Sequence, residues 1–439
     1  MEYYLAIDIG ASSGRHIVGY KADGQIMTEE VYRFPNGMDT ADGHLVWNTD
    51  RLFSEVKRGI ALAFEKFPEI VSLSIDTWGV DYVLMRGDKE VTPTYAYRDS
   101  RTDEPIEEVH KIIPFDELYS KTGTQFNKFN TIYQLYADKL ANRFDGVTDF
   151  LMIPEYLMYK LTGNKKKEFT DATTTGLVNA ETLEFDREIW QRLGLPENLI
   201  RPLSQPGELV GKLKDDIAKE VGGQLEVVFC PTHDTASAVE AIDMDTDSPY
   251  ISSGTWSLLG VKTPKPITDA GSREACYSNE GGVGYNRYQK NITGMWIIQC
   301  LRSELCPETS YADIADMARG SAYTETFDVN DDSFMAPESM KGAIDAYLCA
   351  RGKSTPSSFA DYFNSAYLSL GEGYRQALLD LERNTGKTYP ELYIVGGGAK
   401  NQYLNEITER KAGKHVRAFP IEATAIGNLK TQMRRYENE

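Results

Sequence analysis

Cysteine is scarce in this sequence, and its positions do not suit metal binding or cross-linking. The 439 residues include five cysteines, and no two of them have the short spacing of the CxxC pairs that bind zinc. Scattered thiols in a chain of this length also give no support to a disulfide framework. These absences exclude a zinc ribbon and indicate a protein of a reducing compartment.

Basic residues are outnumbered, and long apolar runs are missing. The 47 Lys and Arg residues against 66 Asp and Glu residues give a net charge of −19, whereas proteins that bind a nucleic-acid backbone carry a basic face. No stretch approaches the ~18 apolar residues of a membrane span, and Asp8 interrupts the apolar run that a signal peptide would need. We therefore expect a cytoplasmic protein with no nucleic-acid or membrane partner. A local site of backbone amides and a few basic side chains could still bind an anion.

The sequence does contain enough apolar material for more than one hydrophobic core. Hydrophobic residues make up 41% of the chain and charged residues 26%, which are ordinary values for a globular protein. Residues 3–10 and 70–76 are apolar, strand-like runs that end in an acid or an acid and a glycine. Residues 51–67 carry apolar side chains at four-residue steps, which is typical of a helix. This mixture predicts an α/β architecture with a covered sheet.

The second half of the chain repeats the pattern of the first. A turn of small residues follows a strand-like run at residues 10–14 and again at residues 252–255. Few identities accompany this repeat, so we interpret it as a repeat of structure. We predict an N-terminal domain at residues 1–240 and a C-terminal domain at residues 241–439.

The first of these turns has the chemistry of a phosphate-binding loop. Residues 8–15, Asp-Ile-Gly-Ala-Ser-Ser-Gly-Arg, combine glycines that let the backbone approach a ligand with amides, hydroxyls and a guanidinium that donate to an anion. An ordinary hairpin turn also favours Gly and Ser, and on this turn alone that interpretation would prevail. The second turn, at 252–255, favours a nucleotide site, because two donor turns could hold a polyphosphate between them.

Acidic side chains stand at the ends of several predicted strands. Asp234 follows such a strand and could accept a proton from a substrate hydroxyl, although an Asp at a helix start is also a common N-cap. Asp8 and Asp76 could each hold Mg²⁺, usually through water, or could cap a turn. Asp8 is the stronger magnesium candidate because it lies beside the first turn.

Other glycine-rich and basic stretches differ in what they indicate. The three glycines at 396–398 follow a strand and remove every Cβ that could obstruct an adenine or a ribose. Leu381 replaces the first glycine of a Walker A loop before Gly386, and Arg287 replaces the third glycine of a dinucleotide fingerprint, so neither motif is present. We interpret the lysines at 165–167 as a solvated loop.

Several short blocks together resemble the FGGY family of carbohydrate kinases, and within it the members that act on L-rhamnulose. Ala-Ser-Ser-Gly-Arg at 11–15 is characteristic of those members, whereas glycerol and xylulose kinases tend to show Gly-Thr-Ser/Thr there. The blocks occur in family order at residues 8–15, 76–81, 97–101, 129–135, 171–175, 233–238, 252–257, 279–282 and 395–398.

The resemblance implies an actin/hexokinase-like (ribonuclease H-like) fold with two related α/β domains. The N-terminal domain would lie on the sugar and phosphate side and the C-terminal domain on the ATP side of an interdomain cleft that closes on both ligands. The implied reaction transfers the γ-phosphoryl group of ATP to the 1-hydroxyl of L-rhamnulose, in L-rhamnose catabolism, with Mg²⁺ as cofactor. The implied assembly is a monomer or a homodimer.

The resemblance also implies a role for individual residues. Asp234 would be the catalytic proton acceptor, and Asp8 would hold Mg²⁺ through water. The residues expected to bind the sugar are Gly79, His233, Asp234, Thr235 and Asn291. The residues expected to bind ATP are Ala11, Ser12, Ser13, Gly14, Arg15, Thr255, Gln299 and Gly397.

Two alternatives stay open at this point. One is a related kinase acting on another ketose such as L-fuculose. The other is a nucleotide-dependent switch or scaffold on the same fold, which the blocks at 76–81 and 97–101 disfavour because a switch has no use for them. Only residues 429–439 follow the stretch at 422–428, with which the resemblance ends, so we expect a C-terminal domain shortened at its end.

Overall fold

The computed structural model describes residues 2–244, 248–419 and 422–437. The chain forms two compact units, each assembled from more than one segment. Unit 1 comprises Met1–Asp243, Pro264–Arg287 and Ala423–Glu439, and unit 2 comprises Met244–Thr263 and Tyr288–Glu422. Both units mix strands and helices, which confirms the predicted α/β class. The boundary at residue 240 stays a prediction.

The strands are short and the helices vary from four residues to 27. The strands are β1 (Tyr3–Ile9), β2 (Ser13–Ala22), β3 (Gln25–Pro35), β4 (Asp39–Ala41), β5 (His44–Trp47), β6 (Ile70–Thr77), β7 (Tyr82–Arg86), β8 (Lys89–Glu90), β9 (Thr94–Tyr95), β10 (Asp149–Met152), β11 (Lys167–Glu168), β12 (Leu203–Ser204), β13 (Leu209–Lys212), β14 (Glu226–Val228), β15 (Tyr250–Ser253), β16 (Trp256–Thr263), β17 (Ser278–Gly281), β18 (Asn286–Thr293), β19 (Glu391–Val395) and β20 (His415–Phe419). The helices are α1 (Thr49–Lys66), α2 (Asp103–Ile112), α3 (Phe115–Thr122), α4 (Thr131–Leu140), α5 (Ile153–Thr162), α6 (Phe169–Ala172), α7 (Arg187–Arg192), α8 (Asp215–Val221), α9 (Asp234–Glu240), α10 (Ala270–Glu274), α11 (Trp296–Leu305), α12 (Tyr311–Arg319), α13 (Met340–Cys349), α14 (Phe359–Thr385), α15 (Gln402–Ala412) and α16 (Ala423–Glu437).

Unit 1 is built on a sheet with the strand order β13-β14-β6-β1-β2-β3. Its centre, β1, pairs antiparallel with β2 and parallel with β6. Successive side chains of a strand point to opposite faces, and β1 is buried on both. Leu5, Ile7 and Ile9 pack into the cluster that contains the apolar side of α1. Tyr4 and Ala6 pack against α16.

The first long helix forms where the four-residue spacing predicts it. The side chain of Asn48 caps α1 by accepting a hydrogen bond from the backbone N–H of Arg51 (2.9 Å). Leu52, Val56 and Ile60 recur on one side of the helix and are buried, so burial of that side against the sheet holds the helix in place.

The last helix, α16, lies against α9 in unit 1 although the two are far apart in sequence. A Cβ at Gly427 would lie 1.8 Å from the carbonyl oxygen of Ser237, so only glycine permits this approach. Residues from the end of the chain therefore complete the unit that contains its beginning.

Unit 2 repeats the strand arrangement at the centre of unit 1. Its strands follow the order β18-β16-β15-β19-β20, and β15 pairs antiparallel with β16 and parallel with β19. This matches the pairing of β1 with β2 and β6. The strand–turn–strand repeat seen in the sequence is thus a repeat of topology.

One local prediction is wrong. The lysine run at 165–167 is not a solvated loop throughout, because Lys167 lies in β11 and is 1% exposed. Its ammonium group donates to the carbonyl oxygen of Phe150, lies 3.4 Å from the centroid of the Phe150 ring, and lies 3.8 Å from the carboxylate of Glu155.

Within the described residues, no helix combines the length and apolar character needed to cross a bilayer.

Candidate active site

The carboxylate of Asp234 is held by one oxygen and open at the other. Asp234 is the first residue of α9, and the preceding His233 occupies the cap position without a side-chain capping bond. Oδ1 of Asp234 accepts a hydrogen bond from Oγ1 of Thr235 (3.1 Å) and lies 3.5 Å from Nε2 of His233. Oδ2 has no hydrogen-bond partner among the described residues, and the side chain is 34% exposed. An oriented carboxylate with one free oxygen can accept a proton from a bound hydroxyl.

The segment before Asp234 runs beside the end of β6. The backbone N–H of Thr77 donates to the carbonyl oxygen of Thr232 (2.9 Å), and Thr77 forms a parallel bridge with His233. Oγ1 of Thr232 donates to the buried carboxylate of Glu168 (2.5 Å). These contacts fix the position at which α9 and its first carboxylate begin.

A second and a third carboxylate stand at the same edge of the sheet. Asp8 and Asp76 are register partners at the ends of the parallel strands β1 and β6. Oδ2 of Asp76 accepts a hydrogen bond from the Asn428 amide (2.6 Å), and its Oδ1 is buried without a hydrogen-bond partner in the described part of the chain. Burial, followed by the negative charges of Asp8 and Asp234, raises the pKa of Asp76 well above its ordinary value. The edge therefore concentrates negative charge that a cation would neutralise.

The turn after β1 combines a guanidinium with unpaired backbone donors. Arg15 donates to Oδ2 of Asp8 through Nε (2.9 Å) and Nη2 (2.7 Å). The amide N–H groups of Ala11 and Ser12 have no hydrogen-bond partner among the described residues. Ser13 begins β2, and its carbonyl oxygen accepts from the N–H of Gly10 (2.9 Å). The turn is thus closed by its own backbone and still presents donors.

Gly14, in the same turn, is needed for packing. A Cβ at this position would lie 2.2 Å from the ring of Phe34. The glycine therefore lets β2 lie close to β3 beneath the turn, independently of any ligand.

The Asp-Thr-Trp-Gly-Val-Asp block folds around the buried carboxylate of Asp81. Oδ2 accepts hydrogen bonds from Nε1 of Trp47 (2.6 Å), Nε1 of Trp78 (2.9 Å) and the N–H of Tyr97 (3.0 Å), and Oδ1 accepts from Nε2 of Gln134 (3.0 Å). The four hydrogen bonds lower the pKa of Asp81, but burial is the larger influence, and the pKa is raised to about 6. Asp81 thereby fixes both indoles next to Gly79.

Gly79 and Val80 form a strained turn in this block. Val80 has a φ of 68°, which is a genuine outlier for a β-branched residue. Its N–H donates to Oγ1 of Thr174 (3.1 Å), and its carbonyl oxygen accepts from Oγ1 of Thr131 (2.7 Å). A Cβ at Gly79 would lie 2.9 Å from Thr174 and 3.2 Å from Oδ1 of Asp171. The turn is therefore held from both sides, as strained functional turns must be.

In unit 2, the small-residue turn after β15 packs against the glycine run. Cβ atoms at Gly396 and Gly398 would lie 2.7 Å and 2.0 Å from Ser253, whereas a Cβ at Gly397 would meet nothing within 4 Å. Thr255 is exposed, and its hydroxyl lies 3.5 Å from Oε1 of Gln299. Two glycines of the run thus serve packing, and Gly397 faces open space.

The remaining predicted residue, Asn291, lies on β18. It is half-buried, and its side chain makes no hydrogen bond within the described part of the chain. The described residues also contain no group of three or more His, Cys, Asp or Glu side chains placed to hold a metal ion.

Sequence reasoning missed three groups. Asp81 lies in the family-like block at 76–81, where the sequence singled out only Asp76 as a candidate. Asp171 lies in the block at 171–175, and its buried Oδ2 has no hydrogen-bond partner among the described residues. Arg287 entered only as the residue that breaks a dinucleotide fingerprint. Membership of the blocks was a usable signal for Asp81 and Asp171.

The strand topology, a turn that presents donors and an open carboxylate are features that a sugar kinase requires, and sequence comparison gives the family. The FGGY carbohydrate-kinase N-terminal domain matches residues 3–239, and the FGGY C-terminal domain matches residues 249–436. The chain belongs to the FGGY family of carbohydrate kinases, as its sequence blocks predict, and it is an enzyme.

Relatives within this family carry a particular name. A rhamnulokinase from Oceanobacillus iheyensis is 42% identical over 433 residues, covering 98% of this chain and 92% of its own. A rhamnulokinase from Halalkalibacterium halodurans is 42% identical over 436 residues, with 98% and 93% coverage. A rhamnulokinase from Bacillus subtilis is 39% identical over 438 residues, with 98% and 90% coverage.

Solved structures of sugar kinases share the fold. A ligand-bound xylulose kinase from Lactobacillus acidophilus has a TM-score of 0.80 at 16% identity, covering all of this chain and 90% of that one. A glycerol kinase from Plasmodium falciparum, solved with ADP, has a TM-score of 0.79 at 13% identity, with 100% and 90% coverage. These similarities confirm the actin/hexokinase-like fold.

Proposed function

We propose that the protein transfers the γ-phosphoryl group of ATP to the 1-hydroxyl of L-rhamnulose, giving L-rhamnulose 1-phosphate and ADP. The open carboxylate oxygen of Asp234 is the observation that carries this proposal, since the reaction needs an acceptor for the hydroxyl proton. The rhamnulokinases that align with 98% of the chain support the choice of sugar.

The sugar would be bound in unit 1 beside Asp234. Thr235 engages Oδ1 of the carboxylate, so Oδ2 would take the proton as the hydroxyl oxygen attacks phosphorus. His233 and Thr235 would contact the sugar hydroxyls, and the backbone at Gly79 would line the pocket because a side chain there is sterically excluded. In unit 2, Asn291 is a further residue that we propose for sugar binding, since its side chain makes no hydrogen bond among the described residues.

ATP would be bound by backbone and side-chain donors. The amides of Ala11 and Ser12, which have no hydrogen-bond partner among the described residues, the hydroxyl of Ser13 and the backbone of Gly14 suit the phosphates. Arg15 would add a charge-assisted hydrogen bond. The nucleotide side would use the exposed Thr255, Gln299 and the open face of Gly397.

Mg²⁺ fits the acidic edge of the sheet in unit 1. The unpartnered Oδ1 of Asp76, and the charges of Asp8 and Asp234 that raise the Asp76 pKa, mark a place where a cation would relieve repulsion. Asp8 would hold the ion through water, in keeping with the hydration that Mg²⁺ retains. When bound, the ion supplies neutralisation of the phosphate charge.

A coupled assay of ADP release with a panel of ketoses tests the proposal. We expect ADP release that requires sugar and is most efficient with L-rhamnulose. In the NMR spectrum of the product, we expect phosphorus–carbon coupling at the first carbon of the sugar. Greater efficiency with L-fuculose or D-xylulose would overturn the choice of sugar. ADP release that does not respond to any sugar would overturn the kinase assignment itself.

The cellular setting is part of the same proposal. We place the reaction in the cytoplasm, in L-rhamnose breakdown, and expect a monomer or a homodimer. Light scattering on the purified protein distinguishes these two assemblies from larger ones.

A further inference from the structure

We propose that Arg287 is a positioning residue that fixes the tautomer of His233 and, through it, the orientation of the Asp234 carboxylate. The inference rests on the proposed function, because it takes Asp234 as the proton acceptor. Arg287 contacts His233, which in turn faces Asp234, so the proposed route from the guanidinium to the carboxylate runs through the imidazole.

The Arg287 guanidinium is buried and held at several points within unit 1. Its side chain is 0% exposed and is paired with Glu280, which is 11% exposed. Nε donates to the carbonyl oxygen of Gly281 (2.8 Å), and Nη2 donates to Oε2 of Glu280 (3.0 Å). The same Nη2 lies 3.1 Å from Nδ1 of His233 in hydrogen-bond geometry. The charge is thus compensated, and the direction of the donor is fixed.

The chemistry of the guanidinium decides which ring nitrogen carries the proton. Arginine has five N–H donors and no acceptor, so Nδ1 of His233 must offer its lone pair. Neutral imidazole then carries its proton on Nε2. Oε2 of Glu280, 3.3 Å from Nδ1, would favour a proton there. Arg287 opposes this, because an Nδ1–H would point at a donor, and a histidinium would place two positive charges together.

The Nε2–H of this tautomer faces the proposed catalytic base. Nε2 lies 3.5 Å from Oδ1 of Asp234, the oxygen that also accepts from Oγ1 of Thr235. The Thr235 hydroxyl donates to Oδ1 and the Nε2–H approaches the same oxygen, which leaves Oδ2 for the substrate hydroxyl. In the other tautomer, the Nε2 lone pair would face Oδ1 and repel the carboxylate. Since a displacement of about 1 Å can cost about a hundredfold in rate, the tautomer bears directly on turnover.

Nitrogen NMR of the ligand-free protein tests the tautomer without any substrate. The chain has five histidines, so a ¹⁵N-histidine spectrum is simple, and the His233→Gln variant identifies the His233 signals. In mildly alkaline buffer, we expect a protonated Nε2 and an unprotonated Nδ1 at His233. A proton on Nδ1, or on both nitrogens, would overturn the proposal.

A double variant tests the link from Arg287 to catalysis. Arg287→Met with Glu280→Gln removes both partners, so neither charge is left buried and unpaired. We expect loss of the Nε2–H preference and a fall in kcat of about tenfold to a hundredfold, with little change in the KM for ATP. The single variant Glu280→Gln keeps Arg287, and its Nε2–H preference should persist.

The outcomes separate this inference from the proposed function. A double variant that folds with the native tautomer or with unchanged kcat would overturn the role of Arg287, as would a raised sugar KM with unchanged kcat. If the double variant does not fold, the wild-type and Glu280→Gln spectra still decide the tautomer. Absence of sugar-dependent ADP release from the wild-type protein would instead overturn the proposed function.

Discussion

Asp8 and Asp76 lie directly opposite each other at the ends of two parallel strands, and each is neutralised differently. Asp8 takes the guanidinium of Arg15 on one oxygen (2.7 Å to Nη2). Among the described residues, Asp76 accepts a hydrogen bond from the amide of Asn428 on one oxygen, and its other, buried oxygen has no hydrogen-bond partner. Parallel pairing brings the strand ends to one edge of the sheet, so the repulsion between these acids is built into the topology. A cation at this edge would remove that repulsion.

Replacing Asp8 should therefore change the response to magnesium. In Asp8→Asn the ion pair with Arg15 is lost and one charge near the proposed Mg²⁺ position disappears. We expect half-maximal activity at a Mg²⁺ concentration raised about tenfold, in line with the cost of ~1–2 kcal/mol for one charge-assisted contact. The measurement is a Mg²⁺ titration of ADP release at fixed total ATP.

The exposed Asp42 of the same unit supplies a matched control for that experiment. Asp42→Asn removes the same charge away from the site and should leave the titration midpoint unchanged. An Asp8→Asn midpoint equal to that of the wild type would speak against a magnesium role for Asp8.

Replacing Asp234 should remove turnover while leaving binding intact. Asp234→Asn keeps the shape of the side chain but cannot accept the hydroxyl proton, so kcat should fall by about 10²–10⁴-fold. Calorimetric titration should still detect binding of ATP and of the sugar. Asp216→Asn, at an exposed position on α8, is the control; near-wild-type turnover in Asp234→Asn would contradict the assignment.

Asp81 should make stability depend on pH in a defined direction. Its pKa is raised from 3.8 to about 6, mainly by burial, so the folded protein retains a proton that the unfolded chain releases near pH 4. This contribution to stability is complete below about pH 4 and is lost as the pH rises through about 6, by ~3 kcal/mol.

Urea unfolding of the wild type and of Asp81→Asn over this pH range measures the effect. The asparagine variant cannot ionise, so the difference in free energy of unfolding between the two proteins should shift against the wild type by about 3 kcal/mol as the pH rises. A difference that stays constant between pH 4 and 7 would show that Asp81 does not titrate in this window.

Two of the three glycines at 396–398, Gly397 and Gly398, should respond differently to an added methyl group. A Cβ at Gly397 meets nothing within 4 Å, whereas at Gly398 it would lie 2.0 Å from Oγ of Ser253. We expect Gly397→Ala to retain the thermal stability of the wild type but to raise the KM for ATP about tenfold, because the methyl group would obstruct the nucleotide. Gly398→Ala should lose ~1–3 kcal/mol of stability.

Gly37→Ala provides a reference, since a Cβ there also meets no neighbour within 4 Å. It should change neither the KM for ATP nor the melting temperature. An unchanged KM in Gly397→Ala would remove Gly397 from the proposed nucleotide site.

Local sequence patterns predicted those strands and helices that are buried through a continuous apolar run or through apolar residues at a regular spacing. Strands β1 and β6 followed from apolar runs, and α1 from four-residue spacing, because each pattern specifies a buried side by itself. The prediction of a solvated loop at 165–167 was wrong at Lys167, because the burial of this residue depends on contacts with residues distant in sequence. Three adjacent cations predict solvent exposure, but Phe150 and Glu155, brought in by the fold, surround Lys167.

The sequence by itself determined the order of the chemical groups: the turn at 10–14, the acids after β1 and β6, the Asp234 block, and with them the kinase family. Only the tertiary structure decided which of these groups meet. Asn428 reaches Asp76 across 352 positions of the chain, and Arg287 reaches His233 across 54. Contacts of such separation leave no periodic trace in the sequence, because they depend on how whole elements pack and not on the residues beside them.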